Sequence, residues 1–356
     1  MKIAVASLRF APGHIAHLKA YRELFKMLGC EVMMFLDKEY INFMPQSADT
    51  TFLTSPNAIT DWKPDKVFSY NIANDNISLA RLCKKAEIPF FYVLHEPWDG
   101  FRELIVLGRR MPRRIAANVV NYFTSHYAYK VVLASENGKR KYLKYMRGCN
   151  KNYAVFPLVF CDDYDASLNA ERKYFSFIGG FTESRACSAY LEFIKYSIEK
   201  NLGIKFCIAT RNSIDGYLSD PIIHQALCDG TLTVQSGKPM TTEEINLHYR
   251  EAVCAWNAYK ISTQSGVLPN AMMQGAPVLV TDRGDSGNIV TEKKEGCFIS
   301  LPLKNEEIEA VYNYIAAHVA EMSKAARSTF QKNYEYKVHL EKAKEVYEIN
   351  LRRKPK

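Results

Sequence analysis

One stretch of the sequence combines a small polar loop with the start of a helix. The loop begins at Ser262 and opens a short helix through Ser265 and Gly266, Gly275 ends that helix, and a buried strand comes directly afterwards. The free N–H groups at the helix amino terminus, beside Ser265 and Gly266, favour an anion because the helix dipole has its positive end there. The stretch predicts a diphosphate-binding turn, although an ordinary capped helix shows the same pattern.

A histidine and a glutamate follow the strand predicted at 89–94. Histidine titrates near neutral pH, so the pair His95 and Glu96 is a candidate for handling a proton during catalysis. A histidine in a loop is more often a structural hydrogen bonder, but its place at the carboxyl end of a parallel strand strengthens the case for a functional role. His14 and His17, in the loop after the first predicted strand, are rival candidates.

Basic residues concentrate in one part of the chain. Between residues 101 and 151, twelve Lys and Arg side chains stand against two Glu, while the whole chain carries a net charge of +9. Apolar residues alternate with arginines in 101–114. The arginines in the carboxyl-terminal half of this segment are Arg109, Arg110, Arg113 and Arg114. An amphipathic basic helix of this kind is typical of an acceptor-side or membrane-surface element, and a solvated helix face is the alternative.

Alternating strands and helices are predicted to hold these candidates in place. The first half has predicted strands at 2–8, 31–37, 66–70, 89–94, 131–133 and 154–158, followed by a linker without apolar periodicity. The pattern restarts with strands at 174–180, 204–209, 231–234, 253–256, 277–281 and 297–301. This alternation predicts an α/β protein with two doubly wound domains, at 1–165 and 166–335, and a helix at 336–356 that packs back on the first domain.

Composition agrees with a two-domain globular protein. The chain has 356 residues, of which 47% are hydrophobic and 24% charged. It contains no apolar run of the roughly 20 residues that a membrane span needs, and its amino terminus lacks the pattern of a signal peptide, so we expect a cytoplasmic protein. The nine cysteines are scattered, which predicts neither a disulfide framework nor a zinc site.

Three stretches resemble glycosyltransferase family 4. Ser265 to Val290 resembles the donor-binding segment of that family, Phe177 to Arg185 is similar to the start of its second domain, and Leu8 to Gly13 resembles its first loop. The resemblance implies the GT-B fold, in which two Rossmann-like domains face each other across a cleft. It also implies transfer of a sugar from a UDP- or GDP-linked donor to a glycan or a lipid-linked saccharide.

The resemblance also implies positions for the donor site, and the chain departs from the family at two of them. Family members carry two glutamates eight positions apart where this chain has Ser262 and Asn270, and an Arg-Lys pair where it has Arg185 and Ala186. Asn270 can still bind a ribose hydroxyl, and Arg211, Lys260 or Arg283 would have to replace the missing cation. The predicted donor-binding residues are Gly13, Gly180, Arg185, Arg211, Trp256, Ser262, Ser265, Gly266, Val267, Leu268 and Asn270.

The resemblance implies metal-independent transfer without a cofactor. It favours retention of the sugar's configuration, in which the departing phosphate takes the acceptor proton, whereas inverting relatives of the fold use a loop histidine as base. A catalytically inactive partner subunit and a nucleotide-sugar epimerase of the same fold remain as alternatives. A dinucleotide-dependent oxidoreductase is disfavoured because no Gly-x-Gly-x-x-Gly follows a predicted strand, and a nucleic-acid partner because no aromatic-basic module is present.

Overall fold

The computed structural model divides the chain into two compact units. The first contains Met1–Cys161 and Tyr334–Lys356, and the second contains Asp162–Asn333. The chain therefore leaves the first unit once and returns to it with its last segment. The structure describes every residue except Pro45, Thr54, Asp99, 101–110, 168–169, 261–265, 283–285 and 350–356.

A parallel sheet forms the centre of the first unit. Its order is β3-β2-β1-β4-β5-β6-β7, and each neighbouring pair is parallel. Because the order reverses between β1 and β4, the loops that follow these strands diverge and leave a crevice at the carboxyl edge of the sheet. Within the described residues the strands are β1 (Lys2–Ser7), β2 (Glu31–Asp37), β3 (Thr50–Leu53), β4 (Lys66–Tyr70), β5 (Phe90–Leu94), β6 (Lys130–Leu133) and β7 (Tyr153–Val155).

Helices cover this sheet with apolar faces at helical spacing. In the first of them Leu18, Tyr21 and Leu24 are fully buried, so one side of the helix packs on the core. The described helices before residue 162 are α1 (Ile15–Met27), α2 (Asn57–Asp61), α3 (Asp75–Lys85), α4 (Met111–Tyr127) and α5 (Glu136–Tyr145), with 3₁₀ turns at Pro12–His14 and Lys38–Asn42.

The second unit repeats the doubly wound plan with its own parallel sheet. The order is β10-β9-β8-β11-β12-β13, and again the order reverses beside the first strand of the unit. In the described part of this unit the strands are β8 (Tyr174–Ile178), β9 (Lys205–Ala209), β10 (Leu232–Gln235), β11 (Ala252–Asn257), β12 (Val278–Thr281) and β13 (Gly296–Ile299). Trp256 is fully buried at the centre of its core.

Local signals set several helix boundaries in the second unit. The Asp220 side chain caps a helix that has Pro221 in its first turn, and Thr241 and Glu244 form a reciprocal capping box at the next helix. The described helices are α6 (Cys187–Glu199), α7 (Asp215–Leu218), α8 (Pro221–Cys228), α9 (Thr242–Arg250), α10 (Val267–Met273), α11 (Ser286–Ile289), α12 (Asn305–Ala317) and α13 (Val319–Asn333), with a 3₁₀ turn at Glu183–Arg185.

The carboxyl-terminal segment packs on the first sheet. It comprises a 3₁₀ turn (Tyr336–His339) and α14 (Leu340–Val346), followed by Tyr347, which is only 1% exposed. The Tyr347 ring lies 5.3 Å from the ring of Phe25 and 5.5 Å from that of Phe68, measured between centroids. These contacts, with the two doubly wound sheets, confirm the predicted fold class and the return of the terminal helix to the first domain.

Two details of the first sheet differ from the sequence prediction. The prediction missed β3, a four-residue strand at the sheet edge that pairs with β2 alone and has no long apolar run to mark it. The strand predicted at 154–158 is Tyr153–Val155 in the structure. Pro157 cannot donate a ladder hydrogen bond, which is consistent with the strand ending before it.

Candidate functional site

The loop after β1 is held at the carboxyl edge of the first sheet by two side chains that the sequence analysis did not select. The Tyr40 hydroxyl accepts a hydrogen bond from the Ala11 N–H at 3.1 Å, and the Asn71 amide donates to the Arg9 carbonyl at 2.9 Å. Asn71 has φ of 88°, a left-handed backbone that asparagine tolerates better than most residues. No described atom lies within 4 Å of a Cβ placed at Gly13, so this predicted position has open space.

Three histidines gather at this edge of the sheet. The rings of His14 and His95 stack with centroids 5.5 Å apart, and His17 lies 6.4 Å from His14 and 6.3 Å from His95. The fully buried Tyr70 ring at the end of β4 meets His14 edge-on at 5.0 Å. The structure therefore brings together the predicted catalytic histidine and both of its rivals.

The histidines differ in the pKa that their surroundings impose. The pKa of His17 is lowered to about 3, chiefly by burial and also by the nearby His95, while its hydrogen bond with the Val159 carbonyl opposes the shift. Burial also lowers the pKa of His95 below its ordinary 6.5, while Glu96 opposes this shift and Arg114 adds to it. His17 is therefore a neutral packing element, and His95 is a neutral imidazole at pH 7.

A pocket of about 210 Å³ opens beside His95. Its wall includes the side chains of Asn71, Glu96, Arg114 and Asn121. Burial by itself would raise the pKa of Glu96, but its ion pair with Arg114, with further contributions from His95 and Lys141, outweighs this effect and lowers the pKa. The pocket thus presents amide groups, a neutral imidazole and a charge-balanced ion pair, a set that suits the hydroxyl groups of a neutral ligand.

The corresponding loop of the second unit is built around the buried Arg185, which is 4% exposed. Its guanidinium donates to the Ile178 carbonyl at 2.8 Å and to the Trp256 carbonyl at 3.1 Å. It also lies 4.5 Å from the centroid of the Phe177 ring. Arg185 therefore shapes the loop after β8, and its predicted contact with a diphosphate stays a prediction.

The first turn of α10 meets this glycine loop. Gly179 has φ of 100°, and a Cβ placed there would lie 2.9 Å from the Arg185 Nη1 and 3.5 Å from the Val267 side chain. Only a glycine fits without displacing these groups. The predicted Gly180 and Val267 therefore lie at one carboxyl edge of the second sheet, together with Gly266, which precedes the first turn of α10.

The other predicted donor residues have different environments. The Trp256 indole is fully buried and donates to the Arg185 carbonyl at 2.9 Å, and Leu268 is buried in the core. Arg211 is exposed just after β9, and Asn270 is half-buried on α10. Lys260 forms an ion pair with Glu183 at 2.8 Å. Ser262, Ser265 and Arg283 lie outside the described residues. The predicted diphosphate contacts of this loop therefore stay predictions.

Two arginines that the sequence analysis passed over hold the other end of α10. Arg172 donates to the Gln274 carbonyl at 2.9 Å and to the Gly275 carbonyl at 2.7 Å. Arg327 donates to the Met273 carbonyl at 2.7 Å. Cations at a helix carboxyl terminus satisfy its free carbonyl groups and complement its dipole. No local pattern could have revealed them, because they come from distant parts of the chain.

The predicted acceptor-side arginines are described only in part. Arg109 and Arg110 lie outside the described residues, Arg113 is exposed at the start of α4, and Arg114 pairs with Glu96 at the pocket. In the part of the chain that the structure describes, no group of three His, Cys, Asp or Glu side chains has the arrangement of a metal site. None of the described helices has the length and apolar character needed to cross a bilayer.

Comparison with known proteins assigns the architecture. Sucrose-phosphate synthase from Thermosynechococcus elongatus is similar, with a TM-score of 0.72 and 13% identity over 98% of each chain. HepE from Anabaena in complex with UDP has a TM-score of 0.73 and 13% identity over 98% of this chain and 100% of its own. UDP-GlcNAc 2-epimerase from Methanocaldococcus jannaschii has a TM-score of 0.61 and 14% identity over 93% and 99%.

These likenesses establish the fold as GT-B, in agreement with the expectation from the sequence. No protein-family model matches the chain, and no curated protein matches it. The function therefore has to be inferred from the site.

Proposed function

We propose that this protein is a glycosyltransferase that moves a hexose-type sugar from a nucleotide diphosphate sugar to a saccharide acceptor. The observation that carries the proposal is the loop after β8, where Gly179 lets the backbone pack closely against Arg185 and the first turn of α10, and Gly180 follows at the carboxyl edge of the sheet. Exposed N–H groups at such a place suit a diphosphate. The GT-B protein HepE was solved in complex with UDP and with UDP-glucose, which supports a UDP-linked donor, and GDP is the alternative.

The pocket beside His95 is the proposed acceptor site. Its amide groups and neutral imidazole can hydrogen-bond sugar hydroxyls, and the ion pair between Glu96 and Arg114 leaves no net charge to attract an ionic ligand. We infer an acceptor that is a glycan or a lipid-linked saccharide of surface polysaccharide synthesis. The protein then works in the cytoplasm, partly at the inner face of the membrane.

In the proposed reaction the sugar retains its configuration. The bond between the anomeric carbon and the diphosphate oxygen breaks, the acceptor oxygen bonds to the same carbon, and the departing phosphate takes the acceptor proton. Because His95 is neutral at pH 7, it can accept a hydrogen bond from the acceptor hydroxyl and orient it. Arg211 and the Gly180 N–H stabilise the leaving diphosphate, and the reaction uses no metal ion.

Two alternatives have a specific observation behind them. The likeness to UDP-GlcNAc 2-epimerase favours an epimerase, and the replacement of both family glutamates, by Ser262 and Asn270, favours an inactive GT-B partner subunit. An epimerase converts the nucleotide sugar itself without a saccharide acceptor. An inactive partner binds a nucleotide, or nothing, without turnover.

The deciding experiment is a thermal-shift screen of the purified protein against a panel of UDP- and GDP-sugars, followed by turnover with the stabilising donor. We expect stabilisation by one nucleotide class and slow release of UDP or GDP by hydrolysis, which an added saccharide accelerates. NMR of the product then gives the anomeric configuration. Conversion of the donor to its epimer, or the absence of turnover with every donor and acceptor, would replace the proposal by one of the alternatives.

A further inference from the structure

Helix α4 exposes its apolar residues. Ile115, Val119, Tyr122 and Phe123 are 39%, 40%, 37% and 43% exposed. Their spacing of four, three and one residues places them along one face of the helix. An apolar stripe on a helix normally faces the core, so the outward orientation of this one calls for an explanation.

The inner side of α4 is polar, the reverse of the usual arrangement. Asn118, Asn121, Thr124 and Ser125 are at most 4% exposed. Asn121 bonds with the Tyr92 hydroxyl, but in the described structure the Asn118 amide and the Thr124 and Ser125 hydroxyls have no hydrogen-bond partner. Burying such groups costs free energy. Stability of the fold therefore does not explain why the apolar face is outside.

The apolar surface continues onto the end of α5. Leu143 and Tyr145 are 43% and 37% exposed. The segment that follows α5 joins the two helices, because the Cys149 thiol donates to the Tyr122 carbonyl at 3.8 Å. A Cβ placed at Gly148, in the same segment, would lie 3.4 Å from the Leu143 side chain. We call the surface the α4 face; it consists of Ile115, Val119, Tyr122, Phe123 and Leu143, whereas Tyr145, two residues further along α5, lies on another side of that helix.

The segment that carries the α4 face is strongly basic. From residue 111 to residue 151 the sequence has nine basic residues and one acidic residue, Glu136. Those with exposed side chains are Arg113, Arg140, Lys144, Arg147 and Lys151. Exposed apolar and aromatic side chains on a segment that also carries exposed cations match an anionic bilayer, whose headgroups attract the charges while its acyl region accepts the apolar groups.

We propose that the α4 face docks on an anionic phospholipid bilayer. The inner side of the same helix supplies Arg114, Ala117 and Asn121 to the pocket beside His95. Docking through the outer side therefore holds the pocket one helix diameter, about 10 Å, from the lipid surface. The choice of a lipid-linked saccharide as acceptor rests on the proposed function, whereas the docking itself does not.

Flotation of the full-length protein with vesicles tests the docking. We expect it to float with vesicles of phosphatidylcholine and phosphatidylglycerol at 3:1 but not with phosphatidylcholine alone, and to detach in 0.5 M salt. The double variant Val119→Ser/Phe123→Ser should bind at least tenfold more weakly. Leu247→Ser, a control on a somewhat more exposed apolar residue (51%) of the second unit, should bind as the unmodified chain does.

Equal flotation with both vesicle types, or undiminished binding of the double variant, would overturn the proposal. So would a dimer of the unmodified chain in sedimentation that the double variant lacks, because the α4 face would then be an interface between copies. UDP and GDP affinities, measured in parallel by calorimetry, separate this proposal from the enzymatic one. Flotation without nucleotide binding refutes the transferase alone, and nucleotide binding without flotation refutes the docking alone.

Discussion

At the scale of single residues, the first unit contains a histidine whose protonation its neighbours control. His95 is neutral at pH 7 because burial lowers its pKa. Glu96 opposes this shift, and Arg114 adds to it. If neutral His95 orients the acceptor, activity is lost as pH falls through the pKa of His95. We predict that the acid limb of kcat/KM has its midpoint below pH 6.5, the ordinary value.

Replacing Arg114 should move this limb. In Arg114→Met the positive charge that helps to lower the pKa of His95 is gone, while the effect of burial remains. The pKa of His95 therefore rises, and the acid limb shifts to higher pH. Arg113→Met, which removes an exposed guanidinium one residue away, serves as the control and should leave the midpoint unchanged. A His95→Gln variant that kept full turnover at every pH would remove His95 from the reaction.

His17 should make the stability of the first unit depend on pH. Its pKa is about 3 in the folded chain against 6.5 for a free side chain, so below pH 6.5 the unfolded chain takes up a proton that the folded chain does not. The stabilisation is present above pH 6.5 and is lost as pH falls towards 3. We expect His17 to contribute a slope of about 1.4 kcal/mol per pH unit between pH 6 and pH 4.

Denaturant unfolding at several pH values measures this contribution. The variant His17→Gln keeps a side-chain donor for the Val159 carbonyl but cannot titrate. The difference in unfolding free energy between the two proteins should change across this pH range, with the variant less sensitive to acid. Parallel curves for the two proteins would contradict the neutral, buried state of His17.

At the scale of elements, the loop after β8 depends on the contact between Gly179 and Arg185. Gly179→Ala introduces a Cβ 2.9 Å from the guanidinium and adds strain at φ of 100°, so the loop has to shift. We predict at least a tenfold loss of affinity for the nucleotide sugar, measured by calorimetry. Gly203→Ala is a matched control, since φ there is 69° and no described atom lies within 4 Å of the added Cβ.

This pair of variants separates backbone strain from distortion of the site. Both place a side chain at a positive φ and are expected to lower the melting temperature, Gly179→Ala by more because its Cβ also contacts Arg185. Only Gly179→Ala should weaken nucleotide binding. Equal affinity in the two variants would place the nucleotide away from this loop.

At the scale of the whole molecule, the chain closes its first unit with a segment that is distant in sequence. Tyr347 packs against the rings of Phe25 and Phe68, and the Lys66 ammonium donates to the Tyr347 carbonyl at 2.7 Å. Tyr347→Ala removes a fully buried ring, which costs roughly 3–5 kcal/mol. We predict faster amide exchange in peptides of the first unit and unchanged exchange in those of the second, measured by mass spectrometry.

The control for this prediction is Tyr217→Ala, which removes a ring that is 41% exposed. It should change exchange only near its own helix, because truncation of a surface side chain costs little. If Tyr347→Ala accelerated exchange equally in both units, the terminal segment would stabilise the molecule as a whole, and the division into two units would not describe its unfolding.

Much of the fold could be predicted from the sequence because its signals are local. Strands such as Phe90–Leu94 are continuous apolar runs, as expected where helices cover both faces of a sheet, and Gly275 takes φ of 65° directly after α10, as a helix-ending glycine does. The prediction failed at Thr50–Leu53, since an edge strand is stabilised by its pairing with β2 and shows no long apolar run.

The candidate site likewise has some features that the sequence predicts and others that only the tertiary structure shows. The residue types that do chemistry, such as His95 and Gly180, follow predicted strands and could be selected from the sequence alone. The residues that surround these side chains could not be predicted, because contacts between residues distant in sequence leave no periodic pattern in it. The pairing of Glu96 with Arg114, the burial of Arg185 and the outward apolar face of α4 are set by how the elements pack. Local patterns determined the elements and their order, while packing decided the charge, exposure and partners of each functional side chain.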